Sequence, residues 1–264
     1  MEDQQKPEFD AYRPDRVAQL IEISGTAKAH LPLLKMFTLA VLAGAFIAFG
    51  CMFYLSTLIG AEPVTGLHRF AGGIAFSLGL ILVVVGGAEL FTGNALMTMA
   101  FVDRRISFGR LMRNKAVVFL GNTVGALLIV GMCYSAGLLS GEFGAILRCV
   151  TEAKLSLTAN AAVARGILCN ALVCLAVWLS FSARTAAGKV LVIILPIAGF
   201  VTIGLEHSIA NLFFLPAGLL AGAEGGMREL VQNIFAVTLG NVIGGAGGVA
   251  LAYWIAYDGV VERS

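Results

Sequence analysis

Residues 87–94 read Gly-Ala-Glu-Leu-Phe-Thr-Gly-Asn, and residues 204–211 read Gly-Leu-Glu-His-Ser-Ile-Ala-Asn. Both fit Gly-x-Glu-x4-Asn, and they stand 117 residues apart. A second match runs alongside: Leu-Gly-Asn-Thr-Val-Gly at 120–125 returns as Leu-Gly-Asn-Val-Ile-Gly at 239–244, an offset of 119 that also carries Tyr134 onto Tyr253. Two independent matches at nearly one offset mark an internal duplication. Each motif interrupts an apolar run with glycine and hydrogen-bonding side chains. Within a bilayer such backbone is tolerated only where it is buried in protein or lines a wet cavity. The motifs therefore predict two broken helices, whose freed N–H groups and dipoles attract anions. The breaks as a whole are read as pore-lining. Glu89 and Glu206 are read as supports that cap freed N–H groups, and Asn94 and Asn211, which close the motifs, as further support.

The surrounding composition makes the bilayer the plain context. The 264 residues are 58% hydrophobic and 13% charged, with mean hydropathy +0.88, against roughly 25% charged in an average soluble domain. That leaves too few polar groups to cover a globule. The 32 glycines fit close approach of transmembrane helices. A net charge of +2 is too small to indicate a nucleic-acid partner. Cys51, Cys133, Cys149, Cys169 and Cys174 show no Cys-x-x-Cys spacing, so they read as small core residues, with no disulfide framework, metal site or cofactor.

A spanning helix needs about 20 apolar residues, and six candidates appear: Met36–Ile59, Phe70–Gly86 with an apolar continuation to Phe101, Ala116–Leu139, Ala161–Phe181, Val190–Thr202 resuming at Leu212–Ala221, and Ile234–Tyr257. The fold class is all-α: six transmembrane helices in two three-helix repeats, about 35–140 and 159–257, with the second and fifth helices broken. Three spans per half insert the second half upside down, which brings the breaks together near the midplane. Placing the N-terminal tail (1–34), the second and fourth connections and the C-terminal tail (258–264) on one side gathers 13 of the 18 Lys and Arg there. The positive-inside rule makes that side the cytoplasm. Arg16–Lys28, preceded by Pro14, reads as a short interfacial helix or a gate.

His207 is the only histidine at membrane depth. An ionisable group in a membrane break is a functional candidate by default, and it can meet both an anion and a proton. Thr92 lies in the other break and can turn its hydroxyl towards an anion or towards His207. Asn170 and Asn241, and Asn122 as the repeat mate of Asn241, either line a pore or tie helices together, since an unpaired amide is costly in an apolar stretch. Phe76, Leu80, Leu90, Phe91, Val173 and Phe200 fit ordinary core as well as pore wall. Lys154, just before the fourth span, either draws anions inward or is a solvated loop lysine.

The segments Gly86–Asn94, Gly166–Trp178, Gly204–Asn211 and Leu239–Gly245 together resemble the formate–nitrite transporter family, from about Lys28 to Trp254. The resemblance implies a homopentamer of aquaporin-like protomers in a bacterial inner membrane, each protomer with its own pore. Asn-Pro-Ala motifs are missing from the sequence, which disfavours water transport. By position, Phe76, Leu80 and Leu90 would form a cytoplasmic constriction, and Phe91, Val173 and Phe200 a periplasmic one. Thr92 and His207 would be the central polar pair, with Asn170 and Asn241 holding the anion or positioning the pair. Lys154 would be a vestibule cation and Lys28 a gate at the end of the N-terminal helix. The resulting expectation is a formate-type channel or transporter for small monovalent anions, proton-linked through Thr92 and His207. The same family also offers nitrite or hydrosulfide as cargo. The rival from another class, a membrane-embedded redox or enzyme subunit, lacks the Cys–His cluster or second deep histidine it needs.

Overall fold

The computed structural model describes residues 11–61 and 63–257. Residues 1–10 of the expected N-terminal tail and all of the expected C-terminal tail, 258–264, lie outside them. Among the described residues the chain is helical, apart from one isolated β-bridge between Ala11 and Ala183.

Among the described residues six helical stretches are long and apolar enough to span: α2 (Leu33–Thr57), α3 (Gly66–Gly86), α5 (Phe108–Ser135), α7 (Ala159–Ser182), α8 (Ala186–Ile203) and the run Met227–Tyr257. That last run comprises α10 (Met227–Val242), a π-helical stretch over Ile243–Ala250 and α11 (Leu251–Tyr257). Even α8, with 18 residues, rises roughly 27 Å, close to the hydrocarbon thickness. Three of the spans start on a side-chain cap. Ser107, Thr158 and Thr185 accept the backbone N–H of Arg110, Ala161 and Gly188, each cap worth about 1 kcal/mol. Leu34, Met132, Leu191 and Phe235 point outward and remain exposed, a surface that hydrocarbon covers and water does not.

The elements recur in order. Span α2 is followed by α3, a break, the half-helix α4 (Met97–Val102, preceded by a 3-10 turn over Gly93–Leu96) and α5. Span α7 is followed by α8, a break, the half-helix α9 (Ser208–Leu220) and the last span. Both breaks begin on a glycine in the left-handed region, Gly87 (φ 81°) and Gly204 (φ 79°), where a Cβ is strained. Within each half the same close contact joins the outer spans. A Cβ on Gly125 of α5 would collide with the Val41 carbonyl of α2, and one on Gly244 with the Ile167 carbonyl of α7. Small residues let these backbones touch, which is how helices associate where lipid removes the hydrophobic driving force. Contacts between α3 and α8 join the two halves.

Two elements add to the sequence reading. The N-terminal helix is α1 (Pro14–Ala29). It packs on α4 and α7, burying Val17, Ala18 and Ile21, and its buried Glu22 pairs with Arg105 at 2.7 Å. Between the halves stands α6 (Gly141–Leu155), a helix the hydropathy pattern does not register because it is 15 residues long and partly polar. Lys154, for which a solvated loop was one of two readings, lies in its last turn.

Candidate functional site

Each break is held open by an asparagine from the span that closes its half. In the first, Asn122 of α5 accepts the Phe91 N–H at 2.9 Å on Oδ1. Its Nδ2 donates to the carbonyls of Ala40 (2.7 Å) and Glu89 (2.9 Å). In the second, Asn241 of α10 accepts the Ser208 N–H at 2.9 Å and donates to the carbonyls of Gly166 (2.8 Å) and Glu206 (3.0 Å). One amide thus satisfies two backbone groups that the break leaves orphaned and ties them to a carbonyl of a neighbouring span, Ala40 of α2 or Gly166 of α7. Both asparagines are fully buried. They tie helices together, the second of the roles open to them.

The glutamates do not cap N–H groups; this corrects the sequence reading. Asparagines already occupy those N–H groups, so the carboxylates turn to cations. Glu89 takes Lys28 at 2.8 Å on Oε1 and the Asn94 amide at 2.7 Å on Oε2, and Asn94 also donates to Asn114. Glu206 takes Lys154 at 3.0 Å on Oε1 and the Asn211 amide at 2.6 Å on Oε2, and Asn211 also donates to Asn233. The cluster is the same in both halves: a lysine, a glutamate and two asparagines. The sequence reading leaves out Asn114 and Asn233, although their spacing of 119 matches that of Asn122 and Asn241. Lys154 is no solvated loop residue: its side chain is 14% exposed, and its ammonium lies 5.3 Å from the centre of the Phe214 ring.

The two breaks meet at Thr92 and His207, whose Oγ1 and Nε2 stand 3.0 Å apart, both residues buried. His207 is also the N-cap of α9, its Nδ1 accepting the Ala210 N–H at 3.1 Å. That bond fixes the tautomer of the neutral ring: Nδ1 is an acceptor, so the proton sits on Nε2 and is donated to Thr92 Oγ1. The threonine hydroxyl hydrogen is then available to a third group. Asn170 holds the Thr92 carbonyl (3.4 Å) and the Asn241 carbonyl (2.6 Å) through Nδ2, so it positions the pair from behind.

Two cavities of about 300 and 280 Å³ approach this pair from opposite ends of α3. The α1-side cavity is lined by Lys28, Leu80, Glu89 and Leu90. The α6-side cavity is lined by Phe76, Lys154, Phe200, Glu206 and His207. Phe76 therefore belongs with Phe200, which it meets edge to face at 5.5 Å, and not with Leu80 and Leu90. One helical turn of α3 separates Phe76 from Leu80, and the cavities divide within that turn. Phe91 and Val173 line neither cavity. The Phe91 backbone is pinned by Asn122, and its ring packs on Phe119 at 5.1 Å under the Lys115 ammonium; Val173 is core. Leu80→Ala and Phe200→Ala test whether the lining controls passage. Both are expected to assemble and to pass larger anions than the unaltered protein, read by flux into liposomes over a series of solute sizes.

Among the described residues no cluster of His, Cys, Asp or Glu is suited to holding a metal. A six-span membrane protein with a polar pair at the junction of two broken helices, one cavity lined by His207 and another by Leu90 and Gly93 beside Thr92, belongs to the class of solute channels and transporters. Comparison with known proteins makes the class particular. The model of the formate/nitrite transporter family matches residues 15–255, and the chain belongs to that family, whose members are channels and transporters rather than enzymes. It is 39% identical to the formate channel FocA of Escherichia coli (strain K12), over 94% of this chain and 95% of that protein. It is 42% identical to the transporter YrhG of Bacillus subtilis (strain 168), over 93% of each. Among solved structures it is similar to a pentameric formate channel with formate bound (TM-score 0.78, 38% identity, 85% of this chain and 97% of that one). It also resembles an FNT family ion channel (TM-score 0.86, 27% identity, 91% and 98%).

Proposed function

We propose that this protein conducts formate, linked to proton movement at the Thr92–His207 pair. The observation that carries the reading is the pair itself: an ionisable ring and a hydroxyl, buried where two broken helices meet and approached by a cavity from each side. The formate channels among its relatives support the choice of anion. Leu80 with Leu90 on one side, and Phe76 with Phe200 on the other, form the apolar collars that a hydrated ion enters poorly. The Thr92 hydroxyl donates to the arriving anion while His207 Nε2–H holds the threonine. Charging the ring requires a proton on Nδ1, which displaces the Ala210 N–H from the end of α9. Proton uptake and a loosening of the second break are thereby the same event. The anion that leaves with the proton leaves as a neutral acid, which the apolar collar admits at far lower cost than a charge.

The wider arrangement belongs to the same proposal. The halves are inverted relative to one another, both termini face the cytoplasm of a bacterial inner membrane, and five copies assemble around an axis. The excess of Lys and Arg on one side, the recurring clasps of the two breaks, and the pentameric formate channel among the similar structures support these points. Native mass spectrometry in mild detergent is expected to show a pentamer. A monomer that transports at full rate contradicts the assembly. The test of the function is parallel uptake of labelled formate, nitrite and hydrosulfide into proteoliposomes. Formate is expected to enter fastest; nitrite or hydrosulfide overtaking it reassigns the cargo within the family.

A further inference from the structure

Lys115 belongs to neither clasp, although it follows Asn114 of the first one. It lies in the third turn of α5, roughly 10 Å along the axis from the start of that span. Among the described residues no carboxylate stands within ion-pair distance of it. The two groups that face its ammonium belong to one residue: it donates to the Phe91 carbonyl at 3.2 Å and lies 4.9 Å from the centre of the Phe91 ring. A carbonyl and a ring face offer only partial negative charge. The Phe91 carbonyl carbon is bonded to the Thr92 nitrogen, so the ammonium stands one peptide unit from the Thr92–His207 pair. The 119-residue offset that carries Asn114 onto Asn233 carries Lys115 onto Ile234, so the duplication does not supply this charge to the second break. Lys28 and Glu89 neutralise one another beside the first break, which leaves the charge of Lys115 uncompensated. Such a charge is costly at membrane depth, and ionisable groups retained there mark a solute path or a missing partner.

We propose that Lys115 is a specificity-determining residue whose counter-charge is the permeating anion itself, a small monovalent carboxylate held at Thr92. This rests on the reading of the protein as a formate conductor, and it names the charge that favours an anion at the centre. Thr92 accepts from His207 and so offers its hydroxyl hydrogen to the solute. A hydroxyl alone serves an anion, a water or a neutral acid alike. A fixed positive charge one peptide unit away breaks that equality. In a low-dielectric interior a unit charge acts far more strongly than in water, and ions in the bath screen it little. Lys115 lines neither cavity, because its bonds to the Phe91 carbonyl and ring keep the ammonium behind the break. The charge therefore attracts the anion without closing on it in a direct ion pair. An anion that is attracted but not clamped can also leave, as conduction requires.

The test compares Lys115→Gln, Lys115→Met and Lys115→Arg with the unaltered full chain in proteoliposomes. Labelled formate uptake gives half-saturation and maximal rate at ionic strengths of about 0.1 M and about 1 M, set with an impermeant salt. Both neutral variants are expected to raise half-saturation by roughly fivefold to tenfold at either strength, with maximal rate changed by less than about twofold. Lys115→Arg keeps the charge and is expected to stay within about twofold of the unaltered half-saturation. A lysine that only braces Phe91 predicts a different pattern: Gln, which keeps a neutral donor, would resemble the unaltered protein, and Met alone would unfold early and conduct slowly. Unchanged half-saturation in a neutral variant that assembles overturns the proposal. So does an Arg variant that loses affinity as Met does, or a rise in half-saturation that disappears at the higher salt. If neither neutral variant assembles, the melting temperature of the unaltered protein decides. Formate above its half-saturation is expected to raise it by more than formamide at equal concentration, and equal shifts overturn the proposal. No formate flux in the unaltered protein removes the transport reading along with this one; flux indifferent to the charge of Lys115 removes only this one.

Discussion

Lys154→Met is expected to destabilise the assembled protein by about 3–5 kcal/mol, and Lys154→Met/Glu206→Gln to recover most of that loss. The Glu206 side chain is 4% exposed, and its two oxygens are taken by the Lys154 ammonium and the Asn211 amide. Removing the lysine leaves a carboxylate facing an apolar methionine with a single amide for company. An uncompensated buried charge costs about 3–5 kcal/mol, whereas replacing both partners by neutral groups is often nearly neutral. The glutamine of the double variant retains an oxygen for Asn211 and sheds the charge. At the mate of this clasp the loss is expected to be smaller, because Lys28 is 28% exposed on its side chain and water reaches Glu89 when it goes. Thermal unfolding in detergent of the four variants, Lys154→Met, Glu206→Gln, the pair and Lys28→Met, checks the order. If Lys154→Met melts with the unaltered protein while formate flux falls, the lysine acts on the anion alone and the clasp contributes nothing to the fold.

That clasp is also where the sequence stops being legible. The six spans can be read because apolar length is a property of composition, and the breaks because glycine and polar residues at membrane depth leave few alternatives. The duplication at 117 to 119 residues identifies Asn122 and Asn241 as mates without reference to any contact. What the sequence hides is direction. Nothing local tells Glu89 to face Lys28, 61 residues away, rather than the N–H groups of its own break, because those groups are claimed by an asparagine from another span. Helix α6 hides for a different reason: at 15 residues it is too short to cross, so a search for spans passes over it, and Lys154 goes with it. The division between Phe76 and Leu80 rests on a single helical turn, finer than any assignment by resemblance resolves. The burial of α1 depends on Glu22 finding Arg105, a long-range pairing with no local signature.

The duplication also explains why the two halves carry unequal chemistry on equal scaffolding. Asn122 and Asn241 hold backbone groups at the same steps of the two breaks, yet one break delivers Thr92 and the other His207. The first break resumes through a 3-10 turn, Gly93–Leu96, whereas the second enters α9 directly with His207 as its cap. In the first, the Phe91 carbonyl is taken by the Lys115 ammonium at 3.2 Å, a bond for which α9 has no need. Repeated clasps set the distance between the breaks; the residues that differ act on the solute.

His207→Asn is expected to assemble and conduct, and to lose the pH dependence of formate flux. Asparagine can keep the cap, since Oδ1 can accept the Ala210 N–H that His207 Nδ1 now accepts, and its amide, one bond shorter than ring Nε2, reaches Thr92 Oγ1 through a water. What it cannot do is take a proton. In the unaltered protein a fall in pH favours the charged ring, which must release the Ala210 N–H to hold its second proton, so the same titration that supplies a proton to the anion loosens the start of α9. Formate uptake is therefore expected to rise several-fold as pH falls from about 8 to about 5, after subtraction of entry into protein-free liposomes. The variant is expected to vary less than about twofold over the same range. Thr92→Ala is expected to lower flux while keeping the direction of the pH response, since a water can stand in for a hydroxyl but not for a titrating ring. Uptake measured at several pH values for all three proteins decides between the roles. A His207→Asn profile that overlays the unaltered one leaves the ring as a cap for α9 and a partner for Thr92, and puts the proton step elsewhere.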